Sequence, residues 1–210
     1  MEKLLGVAKV SLKYNLLPPI IISLGLCLIA PFVVGVKNLD QYQTAKVLEF
    51  YLVFLGILLL PPVFLPDQDE NIRDLIRSKK TPLILIQTVR ISEAIAIMAI
   101  FILGFLLFLK SGNCEFIYGH YFYGTFATCL FLGGIGVLAY GFIDYIAVAY
   151  MIPCLYFVLN YGSSSKYLGR FCLSSMTKGE PIEKKLYLLV GGVIMIVIAM
   201  FFRHYKEKIK

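Results

Sequence analysis

Apolar residues in this chain cluster into runs close to twenty long, separated by short polar stretches. A helix needs roughly 20 apolar residues to cross a hydrocarbon core of about 30 Å. The runs at 16–36, 47–65, 89–109, 121–140, 145–161 and 186–202 meet or approach that length. The stretch from Tyr121 to Tyr161 holds a single charge, Asp144. It is about twice a membrane thickness, so it reads as two spans joined by a tight turn near Gly141 to Asp144. Backbone polar groups in lipid must find partners within the segment, and the runs lack the ten-residue alternation of barrel strands. The pattern predicts an all-α, polytopic membrane protein: one transmembrane domain, residues 1–210, with six spanning helices.

The polar stretches have structure of their own. In 1–14, Leu4, Leu5, Ala8 and Leu12 share one helical face and Lys3, Lys9 and Lys13 lie elsewhere, the pattern of an interfacial helix. Pro18 and Pro19 then open the first span, where missing N–H groups cost least. Between spans two and three, Asp67 and Glu70 have capping-box spacing and predict a cytosolic helix over 67–80. Ile72, Leu75 and Ile76 form its apolar face, while Asp69 with Arg73 and Asp74 with Arg77 are spaced to pair along the polar side. Such a face packs either on the headgroup boundary or on another protein. Thr81 and Pro82 start a helix expected to run to Leu109, with Arg90 and Glu93 as a local pair at the interface. The loop 162–185 contains an apolar cluster over 167–176 that is too short to span and reads as an outer re-entrant or interfacial segment.

Composition supports the membrane reading: the chain is 59% hydrophobic and 16% charged, against about 25% charged in soluble domains. With the N-terminus inside, twelve Lys and Arg fall on the cytosolic side and eight outside, five of those in the loop 162–185. This bias puts both termini in the cytosol. The net charge of +7 is spread over both faces with no basic and aromatic stripe, so anionic lipid is the expected partner and nucleic acid is not. The first apolar run is too long and Pro-marked for a cleaved signal. Five cysteines show no metal-ligand spacing, and a disulfide between Cys114 and Cys172 stays open.

Candidate chemistry is sparse. His120 and His204 fall on opposite sides, and no HExxH, GxSxG or phosphate-loop motif occurs, so no catalytic, cofactor or metal residue is expected. Glu49, near the outer end of the second span, is expected to reach toward water or to contribute to a translocation path. Asp144 is expected to cap the fifth helix at the inner turn. Gly133, Gly134, Gly136, Gly191 and Gly192 permit close helix approach, within the chain or at a subunit seam.

The arrangement of an amphipathic N-terminal helix, six spans, a charged elbow after span two and an outer segment before span six resembles the ABC-2 type permease subunits of ATP-binding cassette transporters. The elbow carries the local match: Glu70, then Asp74, Leu75, Ile76, Arg77, Ser78 and Lys79, is similar to the family's acidic residue and following E-L-L-x-S-K-like run, and Arg90 falls where a basic residue often opens span three. The chain departs from the family at Asn71 and Ile72, where Gly is common, and in the placement of Pro82. The resemblance implies a permease in the plasma membrane, paired with a second permease chain. Its elbow residues Asp69 to Arg77 would be a coupling helix docked on a separate cytosolic ABC ATPase that holds ATP and magnesium. It also implies a path between the two permease chains lined by spans two and five. An amphipathic peptide or lipid fits the apolar spans as cargo. The alternatives are a non-transporting membrane scaffold or immunity-type protein, and an ion-coupled transporter or channel.

Overall fold

A computed structural model describes residues 9–68, 83–162, 171–179, 181 and 183–209. The described residues are mostly helical and contain no strand. The helices are α1 (Leu17–Val33), α2 (Gln41–Val47), α3 (Phe54–Leu59), α4 (Leu83–Ser111), α5 (Tyr118–Ile143), α6 (Ile146–Gly162) and α7 (Glu183–Ile209). Five helical stretches are long and apolar enough to cross a membrane: Lys9–Val33, Gln41–Pro66, Ile84–Ser111, Tyr118–Ile143 and Glu183–Lys206. The chain is thus a multi-pass membrane protein by the length and composition of its helices. The expected fifth span is α6, an apolar helix of 17 residues.

Prolines explain two departures from regular helix. Pro18 and Pro19 cannot donate to the carbonyls four residues earlier, and their rings crowd them. The chain meets this with a wider π turn over Leu12–Leu16, so the helix is continuous from Lys9 into α1 instead of starting at the prolines. Of the expected interfacial helix, residues 1–8 lie outside the described residues. Pro61, Pro62 and Pro66 likewise turn the end of the second span into the tighter 3-10 helix Pro61–Gln68.

The second span starts earlier than its apolar run. The Asp40 side chain accepts from the Gln43 backbone while the Gln43 side chain reaches the Asp40 backbone, a capping box that extends the helix back to Gln41. A five-residue π turn, Leu48–Leu52, joins α2 toward α3. The turn between α5 and α6 falls where the pattern put it. Asp144, at φ 55°, is the left-handed C-cap of α5, with its N–H on the Tyr140 carbonyl, so its capping role belongs to the fourth span and not the fifth.

The bundle has two ends. At the near end, Asn15 Nδ2 donates to the Val63 carbonyl, Tyr140 Oη to the Phe64 carbonyl, and Arg203 stacks on Phe64 and Tyr140. At the far end, loops 34–40 and 112–117 pair through Asn38 N to Gly112 O and Glu115 N to Leu39 O. Cys114 and Cys172, buried at the far end, are both free thiols.

α5 is the hub. Its central residues are buried almost without interruption from Gly124 to Gly141. The apolar core of Gln41–Pro66 is 78% buried and that of α5 72%, against 22 to 33% for the other three long helices. Two helices are therefore sheathed by the rest, which turn Ile21, Phe32, Ile100, Leu107 and Phe201 outward as a lipid-facing surface. Glycine permits the contacts at the hub: a Cβ on Gly56 would lie 2.0 Å from the Cys129 carbonyl oxygen, and one on Gly134 2.8 Å from that of Gly192. The glycine cluster thus serves packing within the chain.

Candidate functional site

Glu49 lies on the π turn Leu48–Leu52 and Lys185 near the start of α7. Both are fully buried, and Lys185 Nζ stands 2.7 Å from Glu49 Oε1. The ammonium also donates to Thr128 Oγ1 at 2.8 Å and to the Leu173 carbonyl at 2.7 Å. Its three protons are therefore all used. Glu49 Oε1 accepts a second bond from Met176 N at 2.8 Å, and Oε2 accepts from Thr177 N at 2.9 Å and from the Thr177 hydroxyl. The carboxylate's four acceptor sites are filled as well.

The surroundings extend this network. Thr128 passes its own proton to the Gly124 carbonyl within α5. The widened turn leaves carbonyls for side-chain donors: Tyr161 Oη bonds that of Glu49 at 3.0 Å, and Cys129 Sγ lies 3.6 Å from that of Leu52. Asn160 on α6, also buried, accepts from Leu173 N at 3.1 Å, and Tyr156 Oη donates to the Phe171 carbonyl at 2.8 Å. Four separate parts of the chain thus meet the segment 171–179 at one polar knot.

A buried ion pair is tolerable only when its remaining lone pairs and protons are satisfied, and here they are. Removing one partner would strand the other. Among the described residues, the Glu49 carboxylate and the Lys185 ammonium are saturated, and together they tie residues 171–179 to the bundle.

This corrects one expectation: Glu49 does not reach water, because α7 and the segment 171–179 close over it. Lys185 is its counter-ion. The signal in the sequence was Glu49 itself: an acid inside a span calls for a cation on a neighbour, with Lys46, Lys184 and Lys185 as candidates. Thr128, Asn160 and Thr177 carried no such signal.

At the near end, Asp144 pairs with Lys206 at 2.6 Å and lies 3.6 Å from Arg203, tying the α5–α6 turn to α7. Deeper along α4, Glu93 faces the Ser11 hydroxyl with the Arg90 charge alongside. Both Glu93 oxygens are enclosed. The residues expected to form a coupling helix, Asp69, Glu70, Ile72, Arg73, Asp74, Leu75, Ile76 and Arg77, lie outside the described residues, as do Thr81, Pro82 and residues 167–170 of the expected outer segment. Among the described residues no group of three or more His, Cys, Asp or Glu side chains is placed to hold a metal ion.

Comparison of the chain with family models, with curated proteins and with solved structures finds no match in any of the three.

Proposed function

We propose that this protein is the membrane-spanning subunit of an ATP-driven exporter of the ABC-2 permease type. In this reading it crosses the plasma membrane six times with both termini in the cytosol, works with a second permease chain, and draws on a separate cytosolic ATPase. The observation that carries the reading is the position of the two flanks of the charged elbow. The Pro61–Gln68 helix packs on the turn Leu12–Leu16 and on α4 at the near end, the end that also holds Asp144 and Lys206. A connection from Gln68 to Leu83 thus starts and finishes beside the helices that a partner would have to move. Ile72, Leu75 and Ile76 supply an apolar face for docking, with Glu70, Arg73, Asp74 and Arg77 setting orientation by charge.

The packing revises where a path would run. The second span is enclosed by its own chain, whereas α6 turns Met151, Leu155, Val158 and Leu159 outward. In this reading α6 faces the second chain, and the second span contributes only after the far end opens. An amphipathic peptide or lipid remains the cargo class.

Replacing Leu75 by Asp tests the proposal. The variant should elute in detergent as the parent does, while co-purification with the ATPase should be lost. Retained association overturns the reading. The saturated Glu49–Lys185 knot favours a second one, a membrane scaffold that moves nothing. Cargo-stimulated ATP hydrolysis by the purified complex separates the two.

A further inference from the structure

We propose that residues 171–179 are a plug over the far end of the bundle, latched by Glu49 and Lys185 and able to lift away while the helices stay assembled. Within this segment, the backbone supplies one hydrogen bond outside helices among the described residues, Gly179 N to Met176 O. Its own side chains add two contacts to the Cys172 sulfur, from Ser174 and Lys178, and the bundle supplies the rest among the described residues: Glu49 for Met176 N and Thr177, Lys185 for the Leu173 carbonyl, Asn160 for Leu173 N and Tyr156 for the Phe171 carbonyl. A stretch ordered mainly by other elements' side chains opens locally once those bonds part.

The helices do not need it in return. α5 meets α7 through Gly134 against Gly192 and Gly141 against Ala199, and meets the second span through Gly56 against Cys129. None of these contacts involves the segment. Residues 172–175 are buried, but only Leu173 among them is a large apolar side chain; beyond it the apolar hold is the Met176 sulfur over Gly124 and the Phe171 ring, itself 45% exposed, 5.9 Å from Phe131. Gly179, at φ +64° with open space around its Cβ position, supplies a left-handed pivot at one end.

The charge arrangement favours a reversible latch. When the segment lifts, Glu49 and Lys185 keep each other and Thr128, and water takes the places of the departing amides and carbonyl. No ion is stranded in the apolar core, which is what makes breaking most buried pairs costly. Opening therefore uncovers a paired Glu–Lys site between the second span, α5 and α7. This inference rests on the far-end geometry and is independent of the ATPase reading.

Native cysteines provide the test. Cys172 lies in the plug, Cys114 in another far-end loop and Cys129 in the core, all three buried. Full-length proteins keeping one of these cysteines are placed in lipid nanodiscs, where a membrane-impermeant maleimide reaches both faces. Thr177→Ala decides the matter, because it removes one bond to Glu49 and leaves both charges in place. Cys172 labelling should accelerate about tenfold or more, as expected for loss of a hydrogen bond to a charged group, with Cys114 and Cys129 unchanged. An unchanged Cys172 rate in Thr177→Ala, or one that rises in step with Cys129, overturns the plug.

Discussion

Lys185 shows how far one side chain's role depends on its neighbours. In isolation it is one of two adjacent lysines opening a helix, yet it is fully buried with three hydrogen bonds. Lys185→Met should destabilise the bundle by about 3–5 kcal/mol, because Glu49 is left as an uncompensated buried charge. Adding Glu49→Gln removes that charge and keeps an acceptor for Met176 and Thr177. The double variant should therefore be more stable than Lys185→Met alone, measured by denaturant unfolding in detergent. A double variant as unstable as the sum of its singles would mean that the two charges do not act as a pair. Glu49 was legible as an unusual residue from sequence. Its partner was not, because 136 positions separate them and only the packing of α7 beside the π turn brings them together.

At the scale of elements, glycines of one type divide into opposite cases by what stands beside them. Gly56 has the Cys129 backbone where its Cβ would go, whereas nothing lies within 4 Å of that position on Gly104 in α4. Gly56→Ala should force the second span off α5 and lower stability by about 1–3 kcal/mol. Gly104→Ala should raise it by about 0.5–1 kcal/mol, since alanine restricts the unfolded chain and suits a helix interior better. Thermal unfolding of the two variants side by side checks both signs. The sequence placed five long helices and the α5–α6 turn correctly because length and apolarity decide them. It missed the start at Gln41 because the Asp40–Gln43 capping box lies in polar residues outside the apolar run. The π turns were illegible for a related reason: they answer to proline crowding and to tertiary donors, not to hydropathy.

For the whole molecule, the question is whether α6 crosses. Its 17 residues give about 26 Å at 1.5 Å per residue, a few ångströms under a typical hydrocarbon core. Yet it starts beside Asp144 at the near end and ends with Asn160 and Tyr161 in the far-end knot. Single cysteines at Asp144 and Lys206 should react from one side of sealed vesicles, and cysteines at Lys46 and Lys178 from the other. Labelling of Asp144→Cys and Lys178→Cys from the same side would mean five crossings and would remove the six-span arrangement on which the permease reading stands. With six crossings Lys9, Gln68, Leu83 and Lys206 share the near side.

Hydropathy along the chain determined that this protein lives in lipid, that its crossings are helices and roughly where each begins, because the cost of unpaired backbone and exposed charge in hydrocarbon is local to each segment. The tertiary structure alone decided which helices are sheathed, which glycines face backbone, and that Glu49 and Lys185 neutralise each other beneath residues 171–179. Those outcomes depend on contacts between residues far apart in the chain, and a one-dimensional pattern carries no record of which faces meet.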